Sequence, residues 1–347
     1  MHLKLITLLI ASALSAAPAL AAVVNVDLST YTLTGRYTLP EPTSAAAPPN
    51  SVLAQEASGV TWNRDTNSLF VVGDGGTSVV QVSLTGQLIN SMTLGLDASR
   101  PQGTAYYDPE GITYAGNGKF ILVEERDRVV SQFTFAAGTT LAYGDAQHIK
   151  LGSTVGNIGI EGISWDPMTG GLIGVKEKQP LGIFQTTLNF ATGTASNGSA
   201  TTANAVNLFN PALAGVLDFA DVYALSNLSG ISAASQSHLL ILSQESGKVV
   251  EVDRLGTVFS SLTIPQLPES GGLSVADQQH EGITMDDQGT LYIVAENGGG
   301  DINHPQLFVY SPVAVPEPAT GVLLSAGLAL VAGQRRYAAQ NARRSTV

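Results

Sequence analysis

The chain contains no cysteine, which removes disulfides, thiol nucleophiles and cysteine-ligated metals from consideration. Histidine is nearly as scarce: His148, His238, His280 and His304 are the only ones beyond the first 21 residues, so zinc and copper sites have few donors. Basic residues are short as well, 16 against 28 acidic ones for a formal charge of -12. A nucleic-acid partner needs a basic surface and is disfavoured, whereas cations and cationic ligands are favoured. No apolar run reaches the roughly 20 residues of a comfortable membrane-spanning helix. There is no G-x-S-x-G elbow, and the glycine run Gly298 to Asp301 follows a strand pattern without a helix to present amides to a phosphate.

Both ends carry processing patterns. MHLKLITLLIASALSAAPALA has a basic start at Lys4, a short apolar segment and the small-x-small ending Ala19-Leu20-Ala21, which predicts a signal peptide over residues 1–21 cut by signal peptidase. At the other end, Val315-Pro316-Glu317-Pro318 precedes an apolar stretch from Gly321 to Gly333 and then Arg335-Arg336. This order resembles the bacterial PEP-CTERM sorting signal, which implies recognition and cleavage by an exosortase and a transient membrane engagement through residues 315–347; an unprocessed short anchor is the alternative. The expected product is an exported domain over residues 22–314, destined for the cell envelope or extracellular surface. Lys4, Glu317, Arg335, Arg336, Arg343 and Arg344 fall in the ends, leaving 11 basic against 27 acidic residues in the domain, net -16.

Within that domain one short motif recurs. Ser58-Gly-Val-Thr-Trp, Glu110-Gly-Ile-Thr-Tyr, Glu161-Gly-Ile-Ser-Trp, Ser229-Gly-Ile-Ser-Ala and Glu281-Gly-Ile-Thr-Met are spaced by 52, 51, 68 and 52 residues. Each is followed by a turn such as Asn-Arg-Asp-Thr-Asn or Asp-Asp-Gln-Gly, an apolar run such as Leu-Phe-Val-Val-Gly-Asp, and further alternating runs. No window of helical periodicity competes with this, and each unit reads as about four antiparallel strands. A four-stranded unit repeated about every 50 residues predicts an all-β fold, a β-propeller. Five motifs predict five blades; six remain open if the segment around residues 190–226, with its small polar stretch ATGTASNGSATTANA, supplies a further set of strands. The last unit holds three clear strands, so the isolated pattern YTLTGRYTLPE at residues 31–41 is expected to complete it and close the ring by the N-terminal strand.

The ordered runs EASGVTW...LFVVGD, DPEGITY, GIEGISW...VKEKQP, LILSQESGKVVEVDRLGTVFSSLTI and HEGITMDDQGTLYIVAEN resemble the SdiA-regulated (YjiK/CarP) family over residues 31 to 311. The resemblance implies an envelope-associated propeller related to phytase-like propellers, with a connection to calcium, and supplies no established reaction or catalytic residues.

The acids follow the same repeat. Glu110, Glu161 and Glu281 open first strands, and Asp74, Glu125, Glu177, Glu245 and Glu296 close second strands, 15 or 16 residues after each opening position. Antiparallel neighbours place the start of one strand beside the end of the next, so these eight carboxylates are expected at one mouth of the ring. Like charges gathered there repel, and relief comes from a bound cation, raised pKa values or basic partners. A hard divalent ion such as calcium suits an all-oxygen donor set. The equal alternative is that the acids accept backbone N–H bonds from neighbouring blades. Arg126, Lys178 and His280 are candidate ligand-binding side chains beside this mouth, with Lys176 and Arg128 as further cations. Trp62, Tyr114, Trp165 and Met285 recur at one position and are expected to fill the space between blades. The reading is an exported binding module for a divalent cation or small polar ligand; the alternative is a phytase-like, calcium-dependent phosphoesterase.

Overall fold

A computed structural model describes residues 25–40, 53–197, 206–266, 274–296 and 304–313. The signal peptide and sorting segment expected over residues 1–21 and 315–347 lie outside the described residues.

Five antiparallel sheets form the blades of a five-bladed propeller. The first runs Ala57–Asn63, Ser68–Gly73, Ser78–Val82 and Leu88–Leu94, with Thr140–Leu141 parallel at its edge. The second is Pro109–Gly116, Lys119–Glu124, Val129–Thr134 and Gln147–Lys150. The third has Ile163–Asp166, Gly171–Lys176 and Gly182–Thr186, and the fourth Asp221–Ala224, Leu239–Ser243, Lys248–Val252 and Val258–Thr263. In the last sheet His280–Met285, Leu291–Ala295 and Gln306–Pro312 are followed outward by the N-terminal strand Tyr31–Thr38. Residues around 190–226 do not build a sixth blade among the described residues. They contribute the hairpin Leu188–Asn189 with Thr194–Ala195, and the first strand of the fourth blade.

That last point corrects the repeat. The fourth blade begins at Asp221, not Ser229, which follows a 3-10 turn at Leu225–Asn227. The similarity of Ser-Gly-Ile-Ser to the other motifs is a coincidence of composition. In register, Val222 opposite Ile241 occupies the place of Ile163 opposite Gly174, so Asp221 stands where the other blades have glycine.

Second strands are buried along their whole length in Ser68–Gly73, Leu239–Ser243 and Leu291–Ala295, and in the other two all but one terminal lysine is buried, because each blade is covered on both faces by its neighbours. Alternation of side chains sends Leu69 and Val71 one way and Phe70 and Val72 the other. The first pair joins Tyr292, Val294 and Val309 of the last blade, and the second joins Ile112, Phe120 and Leu122 of the second. Equivalent apolar clusters lie between blades two and three, three and four, and four and five. The first strands also contact one another in a complete cycle, including that of blade five against that of blade one.

The repeated motif answers to this crowding. A Cβ on Gly59 would sit 2.8 Å from the Gly111 Cα, and one on Gly282 2.7 Å from the Ser58 carbonyl oxygen; the glycine is required by close approach of neighbouring first strands. Two residues later a hydroxyl crosses to the next blade. Thr61 accepts from the Tyr114 amide at 3.0 Å, Thr113 from Trp165 at 2.8 Å, Ser164 from Ala224 at 2.9 Å and Thr284 from Trp62 at 3.0 Å. The fourth blade departs from the pattern: Tyr223 donates its hydroxyl to the Met285 carbonyl at 2.9 Å. There Asp221 adds a second link, accepting from the amides of Val222 and Ile283, both at 2.8 Å.

These bonds define a stability test. At about 1–3 kcal/mol for each buried group left unpaired, Asp221→Ala is expected to cost about 2–6 kcal/mol and Thr113→Val about 1–3 kcal/mol in urea unfolding. Wild-type stability in both variants would show that the cross-blade bonds contribute nothing.

Candidate functional site

The antiparallel pairing of first and second strands brings the start of one beside the end of the other. Asp74 and Glu125 donate their amides to the carbonyls of Glu56 and Asp108, at 3.2 and 2.9 Å, and Glu296 to that of Gln279 at 3.0 Å. Glu56, Asp108 and Gln279 all adopt left-handed backbone, with φ of 50°, 60° and 50°, so each chain turns sharply just before its first strand.

The acids at this end feel one another across blades. Burial, then Asp74 and Glu161, push the Glu110 carboxyl well above the usual range. Burial, then Glu125 and Glu281, do the same for Glu161. For Glu281 the causes are burial, then Glu296 and Glu177. Asp74 is raised to about 9 by burial and by the Glu56 carboxyl beside it, Glu296 to about 8 by burial and Glu56, and Glu125 to about 7 chiefly by burial. Six of the eight expected acids thus form one electrostatic group, and Glu177 acts on it. Glu245 is exposed and pairs with Lys178 at 3.3 Å.

Three carboxylates come closest together: ligand oxygens of Asp74, Asp108 and Glu110 all lie within 4.8 Å of one another. Asp108 was missed in the sequence, although it stands two residues before Glu110 in the motif Asp-Pro-Glu-Gly. It is fully buried and accepts from Gln102 Nε2 at 3.1 Å and from Arg126 Nε. A carboxylate offers about four lone-pair sites, so these bonds leave capacity for a further partner. Oδ1 of Asp74 and Oε2 of Glu125 are buried without a hydrogen-bond partner. Asp218, also missed, is fully buried and accepts from the amides of Gln244 and Glu245 at 3.2 and 3.0 Å, holding the end of the second strand of blade four.

The amide-acceptor alternative has a partial hold. Glu125 Oε1 accepts from the Gly159 amide at 2.8 Å, and Asp221 and Asp218 use their oxygens the same way. The expected ligand-binding side chains behave differently. Arg126 bonds Asp108 and, at 2.6 Å, Asn157 Oδ1, with Glu125 at 3.8 Å. Lys178 bridges Glu177 and Glu245. Both cations neutralise the acids they stand beside. His280 is fully buried against Phe308, ring centroids 4.7 Å apart, and burial lowers its pKa to about 4. It is a neutral interior side chain packed on the last blade's third strand, and the strand bulges between it and Gly282, at Glu281.

At the opposite ends of the first strands, Trp62, Tyr114, Trp165 and Tyr223 surround a cavity of about 410 Å³. Trp62, Tyr114 and Met285 also belong to the clusters between blades, and the half-buried Trp165 packs against the one between blades two and three.

The sequence pattern of the SdiA-regulated family matches residues 44–298. Among solved structures, the chain is similar to the glutaminyl cyclase of Myxococcus xanthus at 13% identity, covering 81% of this chain and 95% of that one, with a TM-score of 0.44. It is similar to a chain of a nidogen/laminin complex at 12% identity over 76% and 88%, TM-score 0.43. A luciferin-regenerating enzyme matches at 10% identity over 76% and 92%, TM-score 0.44.

The raised carboxylates set a pH dependence. Each binds its proton more tightly in the folded than in the unfolded chain, so the folded state holds more protons and stability falls as pH rises. The contribution is complete below the unfolded values near 4 and is lost through the folded values of about 7, 8 and 9 for Glu125, Glu296 and Asp74. In cation-free buffer the melting temperature is expected to drop by several degrees between about pH 5 and 9. Glu296→Gln, which stays neutral, is expected to melt higher at the alkaline end and to flatten the profile. An unchanged profile in that variant would remove Glu296 from the coupled group.

Proposed function

The chain belongs to the SdiA-regulated family, and from that membership and its converging carboxylates we propose that it is an exported, surface-sorted binding module that takes a divalent cation at the acidic mouth of its ring. The observation that carries this reading is the approach of Asp74, Asp108 and Glu110 to within 4.8 Å, with Asp74 Oδ1 buried and unpartnered. The donors are all hard oxygens, which favours calcium over softer transition metals. Glu161, Glu281, Glu125 and Glu296 extend the negative field around the three, and Glu177 and Glu245 lie at its rim, held by Lys178.

Binding would displace the protons that these groups otherwise retain, so affinity rises with pH. Arg126, paired with Asp108, would share that carboxylate with the cation. The N-terminal strand at the outer edge of the last sheet supports reading it as the strap that closes the ring. The basic start and small-x-small ending of residues 1–21, and the Pro-Glu-Pro, apolar, basic order of residues 315–347, support export by signal peptidase and sorting by an exosortase at the membrane.

The phytase-like phosphoesterase is the second reading. It requires cations facing phosphate, and Arg126 and Lys178 are already held by carboxylates, which favours the binding module.

Calorimetric titration of the mature protein with calcium tests the proposal. Wild type is expected to give saturable heat and, at calcium about 100-fold above its dissociation constant, about 2.7 kcal/mol of added stability; the Asp74→Asn, Glu110→Gln double variant is expected to give neither. Equal heats from both proteins would sink the cation site. Turnover of a phosphomonoester panel that a chelator abolishes would instead establish the phosphoesterase.

A further inference from the structure

Away from the acids, the first strands of blades one to four carry Trp62, Tyr114, Trp165 and Tyr223 to the cavity of about 410 Å³. Its volume lies in the range of sites for small organic ligands, roughly 300–1,000 Å³. Trp62 and Trp165 are the chain's two tryptophans. Blade five closes the remaining side through Asp287 in its first hairpin, which accepts from the Ser229 amide at 2.7 Å and pairs with Arg64 at 3.6 Å. Arg64 reaches from blade one to the blade-four loop, donating to the Asn227 carbonyl and, at 3.2 Å, to the Ser229 hydroxyl.

Charge at this end is engaged within the protein. Among the described residues that line the cavity, Arg64 is the one base and Asp65 the one acid, and Asp65 accepts from the Tyr114 hydroxyl. Nearby, Asp166 pairs with Arg254 at 2.8 Å and accepts from Ser226 at 2.6 Å, and Asp286 accepts from the amides of its own turn and from the Tyr292 hydroxyl. The Arg64 guanidinium stands over the Trp62 ring, 5.9 Å from its centroid, where a second cation would be repelled. The charged groups that act on the Tyr114 and Tyr223 hydroxyls are Arg64, Asp65, Asp286 and Asp287, none of them from the acidic mouth.

Neutral hydrogen-bonding capacity is what remains. The Thr61 and Thr113 hydroxyls, each 5% exposed, accept from the Tyr114 and Trp165 amides. A hydroxyl that accepts keeps its own proton to donate, and no described residue takes either one. The indole N–H of the half-buried Trp165 is in the same position. By contrast, Trp62 Nε1 donates to Asn67 Oδ1 at 3.3 Å, and the Tyr114 and Tyr223 hydroxyls donate to Asp65 and the Met285 carbonyl. On the acceptor side, the Asn227 amide group donates to the Trp165 and Ala224 carbonyls at 2.7 and 3.1 Å, which leaves its Oδ1, and Asp65 has lone pairs beyond the one that Tyr114 uses.

Aromatic walls therefore stand beside three unspent donors and two acceptors, with one base and one acid that cancel. An apolar ligand would leave the buried threonine protons unpaired, whereas hydroxyls supply both donors and acceptors. A pyranose adds a C–H face that packs on an aromatic ring. We propose that this cavity binds a small neutral sugar, its ring seated against Trp165 and its hydroxyls on Thr61, Thr113, Asn227 and Asp65. The site does not depend on whether the acidic mouth holds a cation.

The test uses the mature protein in chelator-treated buffer, so that its outcome is distinguishable from that of the calcium titration. Both tryptophans line the cavity, so intrinsic fluorescence reports on it directly. The probes are cellobiose, maltose, lactose and di-N-acetylchitobiose, with glycerol, benzyl alcohol and tetramethylammonium as comparators. At least one disaccharide is expected to change the emission saturably at millimolar concentration, with each comparator at least tenfold weaker. In calorimetry with that disaccharide, Trp165→Phe, which keeps a ring and removes the N–H, is expected to weaken binding about threefold, and Trp165→Ala at least tenfold. Wild-type melting temperatures would confirm that both variants fold. The proposal is overturned if no disaccharide binds at millimolar concentration, if a comparator binds as tightly, or if both variants bind the disaccharide like wild type.

Discussion

First strands of neighbouring blades approach so closely that a single methyl group at Gly59 or Gly282 would collide with the backbone of the next strand. Everything else in the ring is arranged around that approach. Backbone amides facing a neighbouring blade at such range have no room for water and must find acceptors within the protein. Thr61, Thr113, Ser164 and Thr284 supply them from the preceding blade. Where the pattern breaks, in blade four, the Asp221 carboxyl accepts from the Ile283 amide, and the Tyr223 hydroxyl instead donates to the Met285 carbonyl. Glycine, hydroxyl and apolar residue in the motif thus have three distinct tasks: approach, cross-blade bonding and filling of the gap between blades.

The same approach concentrates negative charge. First strands that meet around a common centre carry their opening glutamates with them, and the ends of the second strands bring further acids alongside. Glu110 and Glu161 are each raised first by burial and then by acids from other blades, and Glu281 by burial, then by Glu296 of its own blade and Glu177 of blade three. The molecule relieves part of this with Arg126 and Lys178 and part with amide donors such as Gly159. The remainder, with a buried Asp74 Oδ1 that has no hydrogen-bond partner, is the ground on which a cation is proposed. Between blades two and three Arg128 and Lys176 line one cavity, and Glu125, Glu161 and Glu177 of the acidic group act on them as well.

Much of the fold was legible because a blade is local. Strand, turn and strand follow one another within some 50 residues, and the motif at Ser58, Glu110, Glu161 and Glu281 marks four true first strands. It failed at Ser229 because a short string of common residues can recur by chance, and because the real strand, Asp221–Ala224, replaces glycine with aspartate. The acids at motif positions were legible for the same local reason. Asp108 and Asp218 were not, since each stands outside the motif and gains meaning only from what surrounds it. His280 drew attention by adjacency to Glu281, yet adjacency in the chain does not set what a side chain packs against, and the imidazole lies against Phe308.

By itself the sequence determined the all-β class, four of the five first strands, the acidic character and most of the positions from which carboxylates would be presented, because hydrophobic period and turn residues act within one blade. Only the tertiary structure decided which acids meet, which cations they keep, that Asp221 bonds across blades, and that Arg128 and Lys176 share a cavity. Those facts depend on distances between blades far apart in the chain, where burial and charge act through space and leave no periodic trace in the order of residues.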